Sequence, residues 1–319
     1  MTGQYVLRRL AGSLQTLLGV AILVFIVLRL LPGDEITASL GTEVGALTPA
    51  QRTALEQYYG LDRPLVVQFF SWLGNILTGN LGVSRTSGDT VSSLIADAFP
   101  VTLELAILSM IIGVALGVTV GVFAASRPGS SRDAVGQSFG LLGLAIPEFV
   151  IASALVALLA ARFSYFPSSA EYVGFFESPL QNLQQVVFPA LALGIGLAST
   201  VMRTTRSAFL EAAGQDFVRT ARGKGLTPRR VRWRHILHNA SIPIVTIAGI
   251  QFGYLLGGTV IVEQIFGLPG LGQLVLTGIV QREYAIVQST VLVIAVGFVL
   301  VNLAVDLLYA VIDPRVRLR

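Results

Sequence analysis

Long apolar runs separated by short polar stretches set the pattern of this chain. A helix rises about 1.5 Å per residue, so about 20 apolar residues cross a hydrocarbon core of about 30 Å. Six runs fit: Leu10 to Leu31, Leu103 to Ala125, Phe139 to Ala161, Val186 to Met202, Ile242 to Val262 and Ile286 to Val311. They predict an all-α integral membrane protein with six transmembrane helices. The segment between the first two runs is long for a simple connection. In it, LTPAQRTALEQYYG offers Thr48 as a helix cap, Pro49 for the first position and Gln51 to complete a capping box. A second amphipathic stretch, RPLVVQFFSWLGNIL, follows Asp62, a further candidate cap. Both are expected to be surface or interfacial helices.

One polar interruption stands apart. RTARGKGLTPRRVRWRHILHN, Arg219 to Asn239, holds seven of the 22 Lys and Arg residues and both histidines. It reads as helix, tight turn, helix. Gly223 and Gly225 permit positive φ, and Thr227 with Pro228 makes a helix start. Val231, Trp233, Ile236 and Leu237 supply apolar contacts between the arginines. On physical grounds two readings stand, a docking surface for a cytoplasmic partner or a basic loop resting on lipid head groups.

Composition narrows the class. With 53% hydrophobic and 13% charged residues, the chain is far from a soluble domain, in which about 25% are charged. It has no cysteine, which removes disulfides and Cys-based metal sites, and its two histidines do not make a His-rich metal site. The net charge of +4 is a matter of membrane side rather than of nucleic acid. With the N-terminus inside, Arg8, Arg9, Arg127, Arg132, the nine bases from Arg203 to Arg234, Arg315, Arg317 and Arg319 are cytoplasmic. Only Asp133, Glu211, Asp216 and Asp313 join them from the acids, which predicts an N-in, C-in topology. Arg8-Arg9 is not read as a twin-arginine signal, because the following run is too long and lacks an A-x-A-like cleavage site.

No catalytic constellation is present. Lys224 follows Gly223, but Gly225 follows the lysine, so there is no G-x-x-x-x-G-K-[ST]. H-E-x-x-H and G-x-S-x-G are also missing. Charge within hydrocarbon is costly and tends to face a bundle interior or a cavity. Glu148, just after Pro147, therefore reads either as a pathway or gating residue or as a structural hydrogen-bonding group. Glu104 complements a helix dipole, and Asp306 with Asn302 is placed to pair with an arginine at the inner surface. Gly249, Gly253, Gly257 and Gly258 form a small-residue face suited to close helix approach, within the chain or to a partner.

The basic island also carries a resemblance. Arg219-Thr220-Ala221, three residues, then Gly225 resembles the cytoplasmic "EAA" loop of binding-protein-dependent ABC importer permeases, with Arg in place of the leading Glu. DFVRTARGKGL and HILHNASIPIVT look like the variant in the dipeptide/oligopeptide importer family. Further strings resemble that family in order: LPGD (Leu31 to Asp34), LTPAQ, GLDRPLVVQF and GNLGVS (within Leu47 to Ser84), and AIPEF (Ala145 to Phe149). EQIFGLPGLGQLV from Glu263, REYAIVQ from Arg282 and DLLYAVIDPRVR from Asp306 continue the series. The long outer segment resembles the B-type subunit. Glu211-Ala212-Ala213 is a decoy, since six residues on stands Phe217 rather than Gly. Two departures are Gly223, where Ala is frequent, and Asn80, where Asp is frequent.

The resemblance implies the type I ABC importer permease fold. Residues 1–98 would be the first transmembrane helix with an extracytoplasmic segment, and 99–319 a five-helix core with a coupling loop at 203–240. It implies half of a translocation pathway for short peptides in the lipid bilayer of a prokaryotic inner membrane. Its expected partners are a homologous but distinct second permease, two cytoplasmic ABC ATPases reached through 219–243, and an external substrate-binding protein. The chain would bind no cofactor itself, with ATP and Mg held by the ATPases. Arg219, Thr220, Ala221, Arg222, Gly225 and Leu226 would contact the ATPase, with Ala221 and Gly225 in close packing. Gly249, Gly253 and Gly257 would pack on the second permease, and Pro147 and Glu148 would serve the pathway. Nickel and glutathione are alternative solutes. From another class, a stand-alone ion-coupled secondary transporter or channel would bind its ion through Glu148 and Asp306, but it leaves the island unexplained.

Overall fold

The computed structural model describes residues 3–30, 47–58, 60–164 and 172–312, with side chains for 7–30, 47–57, 60–164 and 172–305. The LPGD string and the Asp306 side chain lie outside the described residues. Among the described residues the regular structure is helical apart from one isolated antiparallel bridge, Val83 to Thr90. In chain order the helices are α1 (Gly3–Leu30), α2 (Pro49–Tyr58), α3 (Leu65–Leu77), α4 (Val91–Ala125), α5 (Ser131–Ala145) and α6 (Glu148–Phe163). There follow α7 (Pro179–Ala213), α8 (Asp216–Gly223), α9 (Pro228–Gly258), α10 (Val260–Phe266), α11 (Leu271–Val280) and α12 (Tyr284–Ile312).

By length and apolarity α1, α4, α7, α9 and α12 each suffice to cross a bilayer. The expected span Phe139 to Ala161 is instead two helices, α5 and α6, bent by 95°. Pro147 has no N–H to give and crowds the residue before it, so Ile146 sits at φ −91, ψ 117, outside the helical region. The expected fifth span stops at Gly258 rather than Val262, and α10 starts anew at Val260. The expected fourth span is longer than Val186 to Met202. At 35 residues α7 is about 52 Å long, well beyond the hydrocarbon thickness, so its last turns, from Arg203 on, form a polar extension.

The chain divides into two compact units, one of which groups residues 269–299 with the N-terminal part. The first unit spans Leu103–Leu268 and takes in the end of α12 from Leu300. Its helices approach closely through glycine. Gly113, Gly117 and Gly121 recur every four residues on α4 and face α7. A Cβ on Gly117 would stand 2.7 Å from the Ala198 carbonyl oxygen, and one on Gly121 2.7 Å from Thr205 Cβ. Gly136, Gly140 and Gly143 of α5 likewise admit Ala124, Met202 and Ser199.

The second unit joins Gln4–Thr102 to Pro269–Val299. In α2 the capping box forms as read. Thr48 N donates to Gln51 Oε1 at 2.9 Å, and Gln51 N to Thr48 Oγ1 at 3.3 Å. Asp62 does not cap α3, whose N-cap is Pro64 with no side-chain bond. Instead the Gln68 amide turns back to the carbonyls of Leu61 (3.3 Å) and Arg63 (2.8 Å). Phe25 of α1 meets Phe69 edge-on at 5.2 Å and Trp72 at 5.6 Å, with the Arg29 guanidinium 3.5 Å over its ring. Val91, Ile95, Ala98, Leu271 and Ile286 form a buried cluster.

Candidate functional site: the basic hairpin and the polar core contacts

The island folds as helix, turn and helix. α8 is amphipathic, burying Val218 and Ala221 one turn apart and exposing Arg219, Thr220 and Arg222. Its end is closed by paired bonds, Leu226 N to Ala221 O at 3.3 Å and Gly225 N to Arg222 O at 2.9 Å. Gly225 holds φ +74 in that turn, while Gly223 is an ordinary helical residue and not part of the positive-φ pair expected. α9 then starts at Pro228 with Thr227 as its cap, Arg230 N donating to Thr227 Oγ1 at 3.4 Å. From Val231 to Ile236 the helix widens into a π turn, an i→i+5 ladder that sequence reading missed. The wider turn brings residues five apart into line, so Val231 and Ile236 are both buried while Trp233 is 49% exposed.

The site residues fall into two sets. Arg219, Thr220, Arg222 and Gly225 are exposed, and Leu226 is half-buried. Ala221, expected at a partner's surface, is 5% exposed and supports the hairpin from within, because α8 packs this edge on the π turn of its own chain. The Arg219–Asp216 pair, 3.4 Å apart and open to solvent, adds little. The decoy Glu211–Ala213 is the last turn of α7.

Deeper contacts lock the helices. Arg206 of α7 forks onto Asp133 of α5, Nε to Oδ1 at 2.7 Å and Nη2 to Oδ2 at 2.8 Å. Gly129 N adds a third bond to Asp133 Oδ2 at 2.9 Å. Glu104 of α4 receives Tyr172 OH at 3.0 Å and Asn182 Nδ2 at 3.1 Å, so it ties α7 and the segment before it rather than merely facing a dipole. Burial first, and then the Glu104 charge, push the Tyr172 phenol well above its ordinary range, keeping it a donor. Glu148 opens α6 at the bend, exposed on the chain's own surface and seated over Gly196 of α7, where a Cβ would lie 2.9 Å from Oε1. Pro147 beside it is exposed too. Glu263 of α10, fully buried, accepts from Thr259 Oγ1 at 2.7 Å. Gly249 is buried against Val305 and Gly253 is buried, whereas Gly257 is exposed.

In the second unit Glu283 accepts Ser84 Oγ at 3.1 Å, Arg85 N at 3.1 Å and Thr86 N at 3.2 Å. Burial raises its pKa, but the hydrogen bonds from Thr86, Ser84 and Arg85 together outweigh burial and hold the carboxyl below its ordinary value.

Comparison with known proteins agrees with this architecture. Residues 117–318 match the family described as binding-protein-dependent transport system inner membrane component, and residues 2–106 match its N-terminal family. The chain is 40% identical over 313 residues to the glutathione transport system permease protein GsiC of Salmonella choleraesuis, covering 98% of each. It is 40% identical over 312 residues, again 98% of each, to a Brucella abortus permease named for a peptide transport system. Among solved structures, an inward-facing MetNI methionine ABC transporter chain aligns with a TM-score of 0.56 at 21% identity, over 69% of this chain and 96% of that one. Membership displaces the stand-alone secondary transporter as a reading. The chain belongs to the binding-protein-dependent transport system inner membrane component family, as a multi-pass permease subunit of an ABC importer in a bacterial inner membrane.

Proposed function

We propose that this subunit forms half of a translocation pathway for short peptides and is driven by two ATPases seated on the hairpin within 219–243. The observation that carries the reading is the exposed row Arg219, Thr220 and Arg222 on a hairpin whose second arm is the first part of α9 and continues without a break into its span. A partner holding that row holds the root of a span. ATP and Mg belong to those ATPases, a second, homologous permease completes the channel, and an external binding protein delivers the cargo. The basic island lies on the cytoplasmic side, with N- and C-termini there as well. Peptide cargo is supported by the relatives' names, since glutathione is itself a tripeptide. Pro147 and Glu148, at the bend between α5 and α6, serve the gate, and Gly257, exposed like its neighbour Gly258, is open for the second permease.

The test is co-expression with the ATPase subunits. Wild type retains the ATPase and hydrolyses ATP faster with loaded binding protein; Arg219→Glu/Arg222→Glu loses both while melting as wild type does. Full retention in the double variant overturns the hairpin's role, and trialanine uptake driven by an ion gradient without ATP overturns the coupling.

A further inference from the structure

The polar extension of α7 has a face that the hairpin reading does not use. Thr200, Arg203, Thr204, Ser207 and Glu211 recur there at helical spacing and line an open cavity of about 470 Å³. Leu144 at the end of α5 and Pro243 of α9 supply apolar walls. Cavities of about 300–1,000 Å³ with a few convergent polar groups suit small solutes.

The polar groups are arranged by charge. Arg206, on the adjoining face, is taken up by Asp133. Arg203 and Glu211 are exposed and have no ion-pair partner among the described residues. They stand eight positions apart, about 12 Å along the axis at about 1.5 Å per residue. Both lean toward the helix N-terminus, so the separation is kept. Between them Thr204 donates its hydroxyl to Thr200 O at 3.1 Å, leaving oxygen lone pairs to accept an N–H. The groove thus has a cation at one end, a carboxylate at the other, hydroxyls between and apolar sides.

We infer that this groove is a subsite for a peptide with free termini, two to four residues long, its carboxylate on Arg203 and its ammonium on Glu211. The inference rests on the peptide-importer reading and adds where the cargo sits and what sets its length. An extended peptide gains about 3.3–3.6 Å per residue, so three residues reach about 10 Å and the two flexible side chains close the remainder. Longer peptides overrun the charges. A solute with no ionised group engages neither end.

Equilibrium dialysis on the complete importer in nanodiscs, without binding protein, tests the pairing. The probes are trialanine, N-acetyl-trialanine and trialanine amide. Wild type binds trialanine about tenfold or more tighter than either blocked form, as expected for hydrogen bonds to charged groups. Arg203→Gln binds trialanine and its amide alike but still discriminates against the acetylated form, and Glu211→Gln does the reverse. Wild type binding all three alike, or binding none, overturns the subsite, as does a discrimination that both variants keep. Loss of ATPase retention in either variant assigns the face to ATPase docking and also overturns it. ATP-dependent trialanine uptake with binding protein separates the two levels. Uptake without the pairing removes the subsite alone, while no uptake of any small peptide removes the peptide reading with it.

Discussion

Replacing Gly117 by alanine should force α4 and α7 apart. The added Cβ would meet the Ala198 carbonyl oxygen and Val201 Cβ at 2.7 Å each, about 0.7 Å inside the 3.4 Å at which ordinary contact begins. A backbone carbonyl in a helix cannot swing away, so the helices must move. Overpacking of this kind costs about 1–3 kcal/mol. Alanine returns about 1 kcal/mol of helix propensity, leaving a net loss of up to about 2 kcal/mol. At about 2–4 °C per kcal/mol for a domain of comparable size, melting falls by up to roughly 8 °C. The control is Gly19→Ala in α1, where nothing lies within 4 Å and only the propensity gain applies. Tryptophan fluorescence melts of the purified subunit, which has two tryptophans, compare the pair. If Gly117→Ala melts at or above Gly19→Ala, the seam is not close-packed and the reasoning fails.

Three further outcomes follow from the contacts. Asp133→Asn leaves the Arg206 guanidinium without its charge partner, and loss of one partner of a buried pair costs up to about 3–5 kcal/mol, less here because Arg206 is 24% exposed. The melt should drop, and Asp133→Leu/Arg206→Met should recover part of it. Glu283 contributes stability at neutral pH that is lost as pH falls below 4.5 through its lowered folded-state pKa. Proteolysis within 84–90 should rise over that acid range in wild type, and Glu283→Gln should remove the pH dependence. Gly225→Ala forces an L-residue to φ +74 at a cost of about 1–2 kcal/mol, whereas Gly223→Ala stays helical without strain. ATPase binding should weaken in the first and not in the second.

Local chemistry was legible in the sequence where one neighbourhood decided the outcome. The Thr48–Gln51 box and the Thr227–Pro228 start formed because their partners lie three residues away. Proline at 147 lies inside a run read as one continuous span, and the 95° bend there joins two helices that both pack on α7. Asp62 does not cap α3, and the turn before that helix is tied instead by Gln68, which donates to the carbonyls of Leu61 and Arg63 from inside the helix. The Asp133–Arg206 fork spans 73 positions and the Glu283 bonds span 197 to 199, beyond any local signal. Glycine spacing was read as a close-approach face on α9 alone, and the equally regular glycines of α4 were not read. Only the neighbours show that Gly113, Gly117 and Gly121 meet α7 while Gly249 meets Val305. Ala221 matched a motif position, yet the amphipathic sense of α8 turned it inward.

The π turn at the base of α9 gives the hairpin a kind of screw thread. Leu237 N bonds to Arg232 O, five residues back, so this turn holds one residue more than the α-helix on either side. Drawing that residue out converts the turn to α and indexes everything before it by about 100° about the axis. No hydrogen-bond ladder elsewhere in α9 need break for that slip. A pull on the exposed arginines can therefore be delivered to the span as rotation in a one-residue step, rather than only as tilt.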